Sequence, residues 1–254
     1  MRRFAAYYYN RAVEWGREVV INFKWNSFAP GSAVYDIERG AMGGIRDDVW
    51  QNDTSVSRTS WSWVDGHDYK GAHELIAELA DTVSKNGVLL LNVGPKPDGT
   101  IPDEERRLLH EVGEWLTRNG EAIYGSRPWT IPGEGPTAVT VGSFVDSSLP
   151  EYTSADIRFT TRTHVTGDYV YATLLAQPED GVARIRSLGS GAGLLTRAIR
   201  EVRVLGSTED VAWTRSAESL DVVLPAQSPI AAGPVVRLYL EDEAQPRRQD
   251  FFHG

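Results

Sequence analysis

The sequence predicts a mixed α/β region followed by an all-β region, and three observations support this. An apolar strand without polar alternation, Val88 to Val93, follows a glycine at a helix-stop position, and such strands are typical of parallel sheets covered on both faces. Strand and helix patterns alternate through residues 1 to 125, which indicates βαβ units. Beyond Pro128 the hydrophobic period changes to two, as in half-buried antiparallel strands.

Composition and charge limit the class of protein. The 254 residues are 41% hydrophobic and 24% charged, which is typical of a globular chain with a core. A net charge of -9 without a basic cluster argues against a nucleic-acid partner. The absence of cysteine excludes disulfides and thiolate metal sites, and we predict no metal and no cofactor.

Membrane and targeting signals are not expected either. No apolar run approaches the roughly 20 residues that a membrane-spanning helix needs. The first residues carry basic side chains but lack the apolar segment of a secretory signal. The sequence therefore predicts no membrane partner, and it leaves the cellular compartment and the oligomeric state open.

A helix is predicted at the start of the chain, because apolar residues recur there at helical spacing and a glycine follows. These residues are Phe4, Tyr8, Ala12 and Trp15, followed by Gly16. A short apolar strand is predicted from Val19 to Phe23, and it ends in the polar residue Lys24. Residues 26 to 70 are predicted as a long functional segment, because they are rich in glycine and aspartate yet dense in tryptophan. A further strand is predicted within them from Val49 to Val56.

Two amphipathic helices are predicted on either side of the apolar strand. The first runs from Ala72 to Lys85 with an apolar face. The second begins after Pro102 with three acidic residues at the positive end of the helix dipole, and it stops at Asn119. A short closing strand is predicted for residues 122 to 124, and residues 130 to 136 are predicted as a linker.

The second half of the chain is predicted to form a β-sandwich. Apolar and polar side chains alternate in residues 155–160, 220–224 and 236–241. The predicted organisation is an α/β domain, an antiparallel β-sandwich and a polar tail, in residues 1–129, 130–245 and 246–254.

Several short motifs occur in the order found in one enzyme family. They are Ala6-Tyr7-Tyr8-Tyr9-Asn10, Asp68-Tyr69-Lys70, and the runs 83–95, 98–102, 113–116 and 119–129. On these motifs the chain resembles the α-L-fucosidases of glycoside hydrolase family 29. The resemblance implies that residues 1–129 are the C-terminal half of a (β/α)₈-like TIM barrel and that the sandwich follows. It also implies a retaining exo-glycosidase that removes terminal α-L-fucose from fucosylated oligosaccharides or glycoconjugates.

The resemblance implies a catalytic residue as well. Glu38 lines up with the family's acid/base glutamate, which protonates the departing glycosidic oxygen and later deprotonates water. The alternative is a solvated loop carboxylate paired with Arg39. Retaining hydrolysis also needs a carboxylate nucleophile roughly 5 Å away. In the family this is an aspartate upstream of the helix at residues 6–10, so we expect it to be absent from this chain, and we expect the chain alone to be inactive.

Two further positions match residues that contact the sugar in the family. Lys24 stands where the family usually has arginine, although lysine cannot form a bidentate fork; the alternative is a lysine that faces water. Trp61 matches an aromatic residue that packs against the apolar face of fucose. Trp50 or Trp63 is alternatively a core residue. Asn92, at the end of the apolar strand, either orients site residues or makes a structural hydrogen bond.

A second class of function also remains open from the sequence. If the catalytic part is not used, the chain is a non-catalytic carbohydrate-binding or structural protein built on the β-sandwich. Calorimetric titration with fucose and with fucosylated oligosaccharides distinguishes the two classes, because binding by the sandwich alone would favour the second.

Overall fold

The computed structural model describes residues 1–147, 150–164, 167–225 and 233–241. The predicted polar tail, residues 246–254, lies outside the described residues. The chain forms two compact units, which are Met1–Gly113 with Thr137–Glu151 and Glu114–Pro136 with Tyr152–Gly254. This division differs from the predicted boundary after residue 129, because residues 114–136 pack with the second unit and residues 137–151 pack with the first.

The first unit contains a four-stranded parallel sheet whose strand order follows the sequence. Its strands are β1 (Asn22–Phe23), β2 (Val34–Glu38), β3 (Trp50–Ser55) and β4 (Gly87–Asn92). The predicted strands around β3 and β4 are confirmed, and β1 is shorter than the predicted Val19 to Phe23. β2 lies in the long segment at residues 26–70 but outside the strand predicted there from Val49 to Val56. The sequence does not predict β2, because two of its five residues are acidic and mask its apolar alternation.

Three helices lie where the sequence predicts them. They are α1 (Arg2–Trp15), α2 (Ala72–Ser84) and α3 (Asp103–Asn119). Gly16 ends α1 in the left-handed conformation with φ 61°, as its position predicts. The predicted closing strand at residues 122–124 is wrong, because Gly120–Ala122 form a 3-10 turn in which the Gly120 carbonyl accepts the N–H groups of Ile123 and Tyr124. Within the described residues, no helix has the length and apolar character to cross a bilayer.

The two faces of the parallel sheet differ in polarity. One face carries Asp36, Glu38, Gln51 and Asp53, and the other carries Tyr35, Ile37, Trp50 and Asn52. The register pairs Asp53 with Leu90 and Gln51 with Val88, so these two apolar side chains of β4 share the polar face. Both are 48% exposed. The prediction that β4 is covered on both faces is therefore wrong for this face within the described residues.

The second unit consists of two antiparallel sheets that share one hydrophobic core. The five-stranded sheet has the order β5 (Arg127–Glu134), β6 (Ile157–His164), β7 (Gly167–Leu174), β12 (Val235–Leu240) and β9 (Ile199–Val204). The three-stranded sheet has the order β10 (Trp213–Arg215), β11 (Leu220–Val223) and β8 (Val182–Ile185). Phe159 and Leu238 of the larger sheet and Ile185 and Leu220 of the smaller one belong to the same buried cluster. Two antiparallel sheets around one core are the arrangement of a β-sandwich.

Candidate active site

Polar side chains gather at the carboxyl ends of the four parallel strands. Lys24 follows β1, Glu38 ends β2, Asp53 lies near the end of β3 and Asn92 ends β4. The strand register places Glu38 beside Asp53 on one face of the sheet. Ligands bind at the carboxyl ends of strands in parallel α/β folds, so this end of the sheet is the candidate site.

Lys24 is the centre of a carboxylate cluster. Its ammonium donates hydrogen bonds to Glu38 Oε2 and to Asp53 Oδ2, both at 2.8 Å, and lies 3.6 Å from Asp36 Oδ2. Three carboxylates therefore share one cation. The pairing of Glu38 with Arg39 that the sequence offers as an alternative is not found, because Glu38 pairs with Lys24 and Arg39 pairs with Asp146. The Lys24 ammonium is held by carboxylates, although its side chain keeps 30% exposure.

The cluster shifts the pKa values of two members. Burial alone would lower the pKa of Lys24, but the hydrogen bonds to Asp53 and Glu38 outweigh it and raise that pKa above its usual value. Burial raises the pKa of Asp36, and the negative charge of Asp53 adds to the rise, while the hydrogen bond from Gln51 opposes it. Lys24 therefore stays cationic at neutral pH, and Asp36 loses its proton less readily than a free aspartic acid.

The Asp36→Asn variant is expected to be more stable than the parent chain at pH 7, by less than about 1 kcal/mol. Because the pKa of Asp36 is raised in the folded chain, its contribution to stability is fully present below the unfolded pKa. That contribution is lost as the pH rises through the folded pKa. The amide cannot ionise and still offers an oxygen to Gln51, which donates to Asp36 Oδ1 at 3.0 Å. Urea unfolding at pH 7 and at about pH 3 measures the difference, which is expected to disappear at the lower pH. An Asp36→Asn variant that is less stable than the parent chain at pH 7 contradicts the raised pKa of Asp36.

Trp61 is held from two sides. Its backbone carbonyl accepts a hydrogen bond from Asn92 Nδ2 at 2.8 Å, and Asn92 also donates to Ser55 Oγ at 3.3 Å. The guanidinium carbon of Arg39 lies 5.1 Å from the centre of the Trp61 ring, on one face of the indole. Asn92 thus fixes the backbone of Trp61, and Arg39 lies over one face of its half-buried ring.

Trp50 and Trp63, which the sequence offers as core residues, differ in their surroundings. Trp50 is fully buried and its Nε1 donates to the Lys85 carbonyl at 2.9 Å, so it is a core residue. Trp63 is half-buried, and its backbone nitrogen lies so close to Gly94 that a side chain on Gly94 would clash with it.

Asp36 and Asp53 are site residues that the sequence reasoning does not single out. A signal is present for Asp36, because Asp36 and Glu38 alternate with Tyr35 and Ile37 at the period of a strand. Residues 50–55 have one apolar residue, Trp50, and give no such signal for Asp53. Their convergence on Lys24 depends on the register between β2 and β3, which no local pattern specifies.

A cavity of about 460 Å³ opens on the opposite face of β2. Its lining is largely aromatic and aliphatic and includes Phe23, Phe28, Tyr35, Ile37, Met42 and Val141. Glu38 and Asp53 do not line it, because side chains alternate along the strand. In the described part of the chain, no three ligand-type side chains are arranged to hold a metal ion.

Both units match the same protein family. The family model Alpha-L-fucosidase matches residues 1–121, and the model Alpha-L-fucosidase C-terminal domain matches residues 150–239. The chain is 32% identical over 234 residues to the tissue α-L-fucosidase of Rattus norvegicus and 32% identical over 222 residues to that of Homo sapiens. These alignments cover 89% and 84% of this chain, but 44% and 42% of the relatives. The chain thus spans less than half the length of the curated relatives it matches.

Solved structures agree with these matches. An α-L-fucosidase superimposes with a TM-score of 0.69 at 25% identity, over 94% of this chain and 48% of its own. The α-fucosidase of Thermotoga maritima, solved in complex with fucose, gives a TM-score of 0.65 at 25% identity, over 92% of this chain and 47% of its own. From both family models and these relatives, the chain belongs to the α-L-fucosidases of glycoside hydrolase family 29.

Proposed function

We propose that this chain is the carboxyl-terminal part of a retaining exo-α-L-fucosidase that removes terminal α-L-fucose from oligosaccharides or glycoconjugates. The observation that carries the proposal is the position of Glu38, at the carboxyl end of a parallel strand and bonded to Lys24, in a chain that belongs to this family. The parallel sheet is then half of a (β/α)₈-like barrel. The sequential strand order and the exposure of Val88 and Leu90 on the polar face support this, since that face would line the barrel interior.

Glu38 is the proposed general acid/base. In the first step it protonates the oxygen that leaves the fucose, and in the second step it takes a proton from the attacking water. Its side chain is 24% exposed, so its carboxyl group is reachable from solvent. The Lys24 ammonium is shared between Glu38 and Asp53, so Glu38 is not its exclusive partner.

Lys24 and Trp61 are the proposed sugar-binding residues. An ammonium group donates hydrogen bonds to sugar hydroxyls, although without the paired geometry of a guanidinium. The apolar indole of Trp61 suits the C–H surface of a deoxy sugar with a methyl group. Arg39 and Asn92 hold that indole in place.

The nucleophile is proposed to lie outside these 254 residues. Asp53 is the carboxylate to consider as a nucleophile within the described residues, because it shares the Lys24 ammonium with Glu38. An attacking carboxylate needs an accessible oxygen, however, and Asp53 Oδ1 is buried while Oδ2 is held by Lys24. Asp53 is therefore proposed as the partner of Lys24, and the chain alone is proposed to be inactive.

Two assays test this proposal on the purified chain. No 4-nitrophenol is expected from 4-nitrophenyl α-L-fucoside, and no covalent adduct is expected by mass spectrometry after incubation with 2-fluoro-fucosyl fluoride, because the attacking carboxylate is missing. Release of nitrophenol, or an adduct on Asp53, overturns the proposed absence of the nucleophile.

The acid/base role needs a polypeptide that also supplies the remaining barrel strands of the family. In that polypeptide, Glu38→Gln is expected to lower kcat/KM by about 100- to 10,000-fold on a substrate with a poor leaving group. The loss is expected to be smaller with 4-nitrophenyl fucoside, because nitrophenolate departs without protonation. Equal losses on both substrates contradict the acid role of Glu38.

A further inference from the structure

We infer that Arg39 and Asp146 form a positioning pair for the candidate site, in which Asp146 holds Arg39 and Arg39 in turn fixes Glu38 and Trp61. Arg39 directly follows Glu38 in the chain and stacks on the Trp61 ring. The roles of Glu38 and Trp61 toward sugar rest on the proposed function, whereas the pair itself rests on the contacts below.

The Arg39 guanidinium is fixed by three acceptors. Its Nε donates to Asp146 Oδ1 at 3.0 Å, and its Nη2 donates to the carbonyls of Ser57 and Arg58 at 2.7 and 2.6 Å. The residue is buried. With its plane fixed in this way, the guanidinium forms a rigid support for one face of Trp61.

The backbone at Arg39 also needs support from its surroundings. Its φ is 49°, in the left-handed region, which is unfavourable for a residue with a side chain and persists only where neighbours hold it. The segment 142–146 supplies those neighbours: the Phe144 N–H donates to the Glu38 carbonyl at 2.9 Å, and the Val145 N–H donates to the Arg39 carbonyl at 2.8 Å. The turn that carries Glu38 is therefore held by a segment that lies far later in the chain.

Asp146 connects this turn to the neighbouring strand. Its Oδ2 accepts hydrogen bonds from Thr54 Oγ1 at 2.6 Å and from Lys70 Nζ at 2.7 Å, and the residue is almost fully buried. Thr54 follows Asp53 in β3, so Asp146 joins the turn after β2 to the strand that carries the other partner of Lys24. Loss of the Asp146 charge is expected to release Arg39 and, through it, the indole.

The test uses the 254-residue chain labelled with 5-fluorotryptophan. Fluorine NMR reports on the eight tryptophans, and Trp61→Phe and Trp50→Phe assign two of the signals. We expect Arg39→Lys and Asp146→Asn each to shift the Trp61 signal more than the Trp50 signal. Lysine keeps the charge but loses the planar support, so Arg39→Lys separates positioning from charge balance.

A matched control comes from another buried ion pair of the same unit. Lys85 Nζ donates to Asp81 Oδ2 at 2.7 Å. The Lys85 carbonyl accepts the Trp50 indole N–H at the start of β3. This pair therefore lies at the amino-terminal end of the strands, whereas Arg39 follows the carboxyl end of β2. Asp81→Asn is therefore expected to leave the Trp61 signal in place. If Asp146→Asn does not fold, the shift of the Trp61 signal in Arg39→Lys alone decides whether Arg39 positions Trp61.

The inference is overturned by an unmoved Trp61 signal in Arg39→Lys, or by an equal shift in Asp81→Asn. The NMR signal needs no turnover. An Arg39–Asp146 pair that does not position Trp61 is therefore distinguishable from a failure of the proposed fucosidase function.

Discussion

Lys70→Met is expected to lower the free energy of unfolding by about 3–5 kcal/mol, because it leaves buried carboxylates without their cation. The Lys70 side chain has no exposure, and its ammonium donates to Thr54, Glu78 and Asp146 at 2.7 to 2.9 Å. Methionine fills a similar volume without a charge, so the loss reports the unpaired acids and not a cavity.

The same variant is expected to change the pH dependence of stability. Burial already raises the pKa of Glu78, and Lys70 is the cation that opposes this rise. Without Lys70 the pKa of Glu78 is expected to rise further, so the variant is expected to lose stability as the pH rises through that folded pKa.

Urea unfolding at two pH values, with amide hydrogen exchange in β3, measures both effects. Lys96→Met is the control, because Lys96 is exposed and its change is expected to stay within about 0.5 kcal/mol. A loss below about 1 kcal/mol for Lys70→Met contradicts the role given to the buried network.

Phe159→Ala is expected to lower the free energy of unfolding by about 3–5 kcal/mol through the second unit. Phe159 is fully buried between the two antiparallel sheets, and its ring meets Trp129 edge-on with 5.1 Å between centroids. Truncation removes this contact and leaves a cavity in a core that cannot fully collapse.

Hydrogen exchange locates this loss, since the amides of β6, β7 and β12 are expected to exchange faster in the variant. Phe144→Ala is the matched control, because that ring is 57% exposed and its removal opens no cavity. Equal losses for the two phenylalanines are incompatible with Phe159 as a central core residue.

The elements with an uninterrupted apolar pattern are predictable from the sequence. β4 has four consecutive apolar residues, and the three helices have apolar stripes with clear stops, so each is predicted to within a few residues of its bounds. β5 overlaps the predicted linker. The sequence predicts no strand there because the segment contains Pro128, Pro132 and Gly133. It is an edge strand of its sheet, where proline is tolerated, and local sequence does not reveal which strand lies at an edge.

The candidate site is predictable in part. Glu38, Lys24 and Trp61 follow from the resemblance, and their sugar-facing roles stay predictions. The contact of Lys24 with two carboxylates depends on strand register, and the bond between Arg39 and Asp146 joins residues 107 positions apart. No local pattern encodes a contact at that separation, because helix and strand periods act only over neighbouring residues.

The return of residues 137–151 to the first unit has a consequence for recombination of this gene with its relatives. A crossover placed after residue 129 would exchange Asp146 together with the sandwich, although its ionic partners stay behind. Arg39 and Lys70 would then depend on the residue that the other parent supplies in place of Asp146. Shuffled libraries that keep residues 137–151 with the parent of the parallel sheet are therefore expected to yield more folded hybrids than libraries joined at residue 129.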